Sequence, residues 1–121
     1  MEDSILKSIR SLLVGNDEDK SFDQELIFDI NAAMSNLTQM GVGPKEGFKV
    51  TGEDEEWTDL IEENDLLEQV KEYVKLYVRI LFDPPTQASV IDIYNKEIAQ
   101  REWRINITVD DQTGHPKKEV P

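Results

Sequence analysis

The stretch Val70–Pro85, VKEYVKLYVRILFDPP, constrains the fold more than any other part of the chain. Counted from Leu66, apolar residues recur at Leu66, Leu67, Val70, Tyr73, Val74, Tyr77, Val78 and Leu81. That is the three-and-four spacing of a helix with a wide apolar arc. Glu68, Lys71, Glu72, Lys75 and Arg79 take the opposite stripe. A helix over 66–82 would be about 26 Å long at ~1.5 Å per residue. In a small domain, a helix this apolar is expected in the middle, with others packed on it. Its end is sharp, because Pro84 disfavours α geometry at Asp83 and neither Pro84 nor Pro85 can donate an intrahelical hydrogen bond. Asp83 is then expected to cap the next helix, with Pro84 at its first position.

At 121 residues the chain is expected to form a single domain with a modest core. It has no cysteine, hence no disulfide or thiolate chemistry. No apolar run approaches the ~20 residues of a membrane span, and Met1-Glu2-Asp3 does not read as the start of a signal peptide. An intracellular protein that avoids membranes is the expectation. The charge is uneven: residues 1–65 carry 17 acids and 5 bases, and residues 66–121 carry 9 and 8. Binding to a phosphate backbone needs clustered Lys and Arg, which neither half offers. An acidic half serves solubility, or it meets a basic partner or repels DNA passing nearby.

Ile5, Leu6, Ile9, Leu12 and Leu13 place an amphipathic helix over 3–14, ended by Gly15-Asn16. Asp17, Asp19, Ser21 and Asp23 alternate like half a calcium loop, but Phe22 replaces the turn glycine and Phe28 the bidentate Glu. A capping box from Ser21 to Gln24 is the simpler account. The second helix, over 22–39, buries Phe22, Leu26, Ile27, Ile30, Ala33, Met34 and Leu37, and Gly41 terminates it. Its Ala32 and Ala33 permit close approach of another helix. The segment Gly41–Phe48 is glycine-rich without the Gly-Lys-Ser/Thr of a phosphate loop, so its glycines are read as turns, with Phe48 and Val50 folding back onto the core.

Glu53–Asp65 holds eight acids and no base, with Trp57, Leu60 and Ile61 marking a short helix over 57–62. Spread surface acids lack the pocket that would perturb their pKa values for catalysis, so a solvated face is favoured over a metal or catalytic cluster. Asn64 or Asp65 caps the central helix. A last helix over 87–103 presents Val90 or Ile91, Tyr94, Ile98 and Arg101 or Glu102. Alternation in Arg104-Ile105-Asn106-Ile107-Thr108-Val109 reads as an extended or β-like arm over 104–109. Residues 110–121 read as a flexible tail, in which His115 is exposed and inert. The expected fold is therefore all-α, a small bundle of four to five helices in one domain over 1–109. Tyr73, Tyr77 and Trp57 are assigned to the core, and Arg79 and Arg104 to local salt bridges.

No nucleophile–base pair, metal-ligand cluster or phosphate cradle is present, so no enzyme and no cofactor is expected. Beyond this, an ordered set of segments is informative. It runs through Ile30-Asn31-Ala32-Ala33, Gln39-Met40-Gly41-Val42-Gly43-Pro44, Gly47-Phe48 and Trp57. It continues through Val70-Lys71, Tyr73-Val74, Val78-Arg79, Leu81-Phe82-Asp83-Pro84-Pro85 and Glu102-Trp103-Arg104-Ile105-Asn106. Over roughly residues 5–108 the chain resembles the small helical head–tail connector (neck adaptor, or head-completion) proteins of tailed bacteriophages, with the Phe-Asp-Pro-Pro corner and Glu-Trp-Arg as the most distinctive pieces.

The resemblance implies a structural virion protein at the head–tail junction, assembled in the host cytoplasm. It would form a homo-oligomeric ring under the portal, extend the DNA channel without binding DNA specifically, and present a platform to head-closure or tail-completion proteins. Under that reading Lys71, Lys75, Arg79, Lys96 and Arg101 are candidates for the subunit interface. Trp103, Arg104, Ile105, Asn106 and Ile107 would form an arm docking on the portal or a neighbour. Glu53, Asp54, Glu55, Glu56, Asp59, Glu62 and Glu63 would form an acidic channel or partner face. The alternative is an acidic regulator or inhibitor that occupies a basic nucleic-acid-binding partner by charge mimicry.

Overall fold

The computed structural model describes residues 4–113, which form five helices: α1 (Ile5–Leu13), α2 (Asp23–Gln39), α3 (Trp57–Leu60), α4 (Asp65–Phe82) and α5 (Ala88–Thr113). Among the described residues there is no strand, only an isolated antiparallel bridge between Ser4 and Glu56. The all-α bundle expected from the sequence is what the chain adopts.

α4 is the centre, as its apolar arc demands: Leu66, Leu67, Val70, Tyr73, Val74 and Val78 are all buried. Asn64 caps it, its Oδ1 accepting from the Leu67 amide at 3.1 Å. α2 and α5 both pack along α4, and both run antiparallel to it. For α2, the Phe22 ring meets Phe82 edge-on at 5.5 Å, while Asn36 reaches Tyr73. For α5, Glu102 reaches Tyr73 and Thr108 reaches Gln69. α1 lies against α2, and α3 touches α4.

The loops are pinned by side chains. Asn31 makes a reciprocal pair with Val50, its Nδ2 donating to the Val50 carbonyl at 2.9 Å and its Oδ1 accepting from the Val50 amide at 2.8 Å. Val50 is thereby buried and Phe48 packs against the core, so both fold back as expected. Gly41 ends α2 with φ +88°, and Gly43 turns with φ +81° where a Cβ would stand 2.8 Å from Leu60 Cδ1. Both positions therefore call for glycine.

Several local expectations are corrected. The extended arm over 104–109 does not form: α5 runs unbroken for 26 residues through it. The reason lies in aliasing of the two periods. Ile105 and Val109 alternate like strand residues but are also four apart, one helical turn. Both are buried, continuing the face begun by Ile98. Burial against the body outweighs the β preference of single residues. Residues 110–113 of the supposed tail are likewise helical, while 114–121, with His115, lie outside the described residues. The Ser21 capping box is absent: α2 starts at Asp23, and the Ser21 amide instead donates to Asp19 Oδ1 at 3.0 Å. Asp83 is the C-cap of α4, and α5 begins only at Ala88, so the residue expected to open the next helix closes the previous one. α3 is shorter than expected, stopping at Leu60 because Ile61 turns extended (φ −150°, ψ 162°).

Candidate functional site

Sequence reasoning passed over Arg10. Its side chain is 0% exposed and forms a clasp between three segments. Nε and Nη2 donate to the two oxygens of Asp23 at 2.9 and 2.6 Å, Nη1 lies 2.8 Å from Glu53 Oε2, and the Asp17 carbonyl accepts as well. The fork geometry of a guanidinium suits two carboxylates and a carbonyl at once. This holds Glu53 of the acidic segment, the α1–α2 connector and the first residue of α2 together. The Asp23 bond raises the Arg10 pKa further, and the Arg10 bond lowers that of Glu53. The signal available in the sequence was positional: Arg10 sits one residue past Ile9 and four past Leu6, at the margin of the apolar stripe of α1.

Tyr73 is the polar centre of the bundle. Its buried hydroxyl donates to Glu102 Oε2 at 2.9 Å and accepts from Asn36 Nδ2 at 3.1 Å, joining α4, α5 and α2 at one atom. Burial, with the Glu102 carboxylate alongside, raises its pKa. Its ring stacks on Tyr77 with centroids 5.7 Å apart. Tyr73→Phe is expected to lower stability by about 1–2 kcal/mol, because two part-buried polar partners are left unsatisfied. The check is the urea midpoint, which should fall with an unchanged m-value; a midpoint equal to wild type would show that water replaces the hydroxyl without cost.

The acidic segment is partly consumed by the fold. Glu53 belongs to the Arg10 clasp, Glu55 accepts from the Thr51 and Gly52 amides and the Thr51 hydroxyl, and Asp59 Oδ2 accepts from the Glu56 amide at 2.9 Å. Asp54, Glu62 and Glu63 stand exposed. The candidate basic residues do not gather into one free face. Arg101 pairs with Glu97 and lies 3.9 Å from Glu72, and Lys71 lies 3.6 Å from Glu68. Among the described residues Lys75, Arg79, Lys96 and Arg104 make no ion pair, so Arg79 and Arg104 are not the local salt-bridge partners expected. Of the candidate arm, Ile105 is core, Asn106 and Ile107 are half-buried, and Trp103 and Arg104 are exposed on α5. Phe28, noted in the sequence only as a mismatch to a calcium loop, is a bare aromatic: 76% exposed, it projects from α2 on the side away from Leu26 and Ile30.

Comparison with known families decides what this bundle is. The phage connector protein family matches the chain over residues 5–112, nearly its whole length. The chain belongs to that family. The connector shows no match to a curated protein or to a solved structure. Family membership makes the general role structural, that of a head–tail connector in a phage particle, within a family of structural proteins rather than enzymes. Depressions on the connector's surface, such as one of about 440 Å³ between Lys7, Asp17, Glu18, Lys20 and Glu53 and one of about 480 Å³ beside Gly43 and Leu60, lie open beside loops. Among the described residues no group of three or more His, Cys, Asp or Glu is placed to hold a metal ion, and no helix is long and apolar enough to cross a membrane.

Proposed function

We propose that the connector assembles as a homo-oligomeric ring under the portal, extends the DNA channel, and offers its far side to head-closure or tail-completion proteins. The observation that carries this reading is the uncovered apolar surface on two different helices of one small domain: Phe28 on α2 and Ile93 and Trp103 on α5, which are 76%, 57% and 40% exposed. A ring needs two different surfaces per subunit, each meeting the other on a neighbour. Aromatic side chains left bare in a monomer are the type of residue that anchors such contacts. The exposed carboxylates Asp54, Glu62 and Glu63, which make no ion pair among the described residues, suit a lumen through which DNA slides without adhering. Assembly in the host cytoplasm followed by residence in the virion is the corresponding life history.

The test is mass by light scattering across concentration, alone and with the cognate portal, with electron micrographs of any large species. A closed ring, free or seated on the portal, is the expected result. A monomer that ignores the portal at high concentration would overturn the reading.

A further inference from the structure

We infer that the ring contact is made by the outward stripe of α5 on one subunit seating against the Phe28 face of α2 on the next. The inference rests on the ring reading above and names the surfaces that would build it. On α5, Ile93, Lys96, Trp103 and Ile107 recur at helical spacing, with Arg104 next to Trp103, on the side away from Ile98, Ile105 and Val109. Ile93 and Trp103 are exposed, Ile107 is half-buried, and the cations Lys96 and Arg104 have no ion-pair partner among the described residues. The stripe is therefore apolar, with the cations Lys96 and Arg104 on it and the exposed acids Asp92 and Asp111 at its two ends.

α2 offers the complement. It carries Glu25 and Asp29 in its N-terminal half and no Lys or Arg, Asp23 being taken up by Arg10, so the surface around Phe28 is negative. Phe28 stands out between Glu25 and Asp29, with the small, half-buried Ala32 one turn further on. Burial, and next the charge of Glu25, raise the Asp29 carboxyl above its ordinary value. Asp29 makes no ion pair among the described residues, so its charge is held without a counterion.

The second copy is the occupant because both halves of the match are on this chain. The apolar stripe with its cations is on α5, the negative-rimmed aromatic is on α2, and both helices pack on α4. One subunit can present α5 to one neighbour while receiving another neighbour's α5 on α2, the head-to-tail pattern that closes into rings. Opposite charges at the rim fix register and disfavour the α2-to-α2 pairing, which brings Glu25 and Asp29 against their copies.

The experiment uses charge reversal in the full chain, with circular dichroism confirming the fold of each variant. Lys96→Glu with Arg104→Glu, and separately Glu25→Lys with Asp29→Lys, should each raise the concentration for half-assembly at least about tenfold, since like charges now face each other. The four substitutions combined restore opposite signs and should return assembly to within about threefold of wild type. Wild-type rings together with reversals that assemble normally, or a folded four-fold variant that stays dissociated, would overturn the assignment while leaving the ring reading intact. So would reversals that abolish portal binding but spare self-assembly, since these faces would then belong to the portal. Failure of the wild-type chain to form a ring under any condition would instead remove the ring reading beneath it.

Discussion

Trp57→Ala is expected to cost about 3–5 kcal/mol, the range for emptying a buried aromatic site. Domains of this size are stable by only about 5–15 kcal/mol, so the variant should lose a large share of its folding free energy. Trp57 is 2% exposed and opens α3, and its Nε1 donates to Ser8 Oγ at 3.1 Å. It therefore holds the acidic segment against α1, beside the bond from the Ile5 amide to the Glu55 carbonyl at 3.0 Å. α3 is a single turn of four residues, too short to persist unaided, so its place depends on its buried anchors Trp57 and Leu60. Trp57→Phe keeps most of the apolar area and loses the hydrogen bond, and should fall between wild type and alanine. Urea unfolding followed by circular dichroism measures both. A loss below about 1 kcal/mol for the alanine variant would mean that α3 and the acidic segment unfold separately from the bundle.

Arg10→Met should cost about 3 kcal/mol at neutral pH. Breaking a buried pair by removing one partner typically costs ~3–5 kcal/mol, and the low end applies because Asp23 and Glu53 can partly rehydrate. Their side chains are 22% and 31% exposed. Arg10→Lys keeps the charge but not the fork, and should recover only part of the loss. The variant also carries a pH signature. Arg10 lowers the folded-state pKa of Glu53, so the stabilisation it provides is complete above the unfolded value near 4.5 and is lost as pH falls through the depressed folded value. The stability gap between wild type and Arg10→Met should therefore narrow below pH 4.5. Urea midpoints at neutral pH and in acid decide this; a constant gap would show that packing of the aliphatic stem, not the ion pair, is what Arg10 contributes.

Much of the bundle was legible because helical periodicity and punctuation are local signals. Six of the apolar positions of α4 are buried as read, while Tyr77 is half-buried and Leu81 exposed; Asn64 caps the helix, Gly41 ends α2 and Trp57 is core. The errors fell where a local pattern admits two answers. Ser21 was a sound cap by spacing, but Asp23 was claimed by an arginine thirteen residues earlier in the chain. Asp83 was suited to either helix end, and only the path of the chain past Pro84 and Pro85 placed it at the end of α4.

The sequence by itself determined the helical class, the central helix and its stop, the uneven charge and the family, because each is written in residues close together or in their order. Only the tertiary structure decided the rest. It made α5 continuous through 104–113, because α4 and the Gly41 turn cover Ile105 and Val109, and burial exceeds the β preference of Ile and Val. It buried Arg10 between carboxylates distant in sequence, and it left Phe28 and Trp103 bare while covering Tyr73. Which faces remain uncovered depends on how helices pack, a long-range property that no local pattern carries, and the faces left uncovered are those proposed to join one connector to the next.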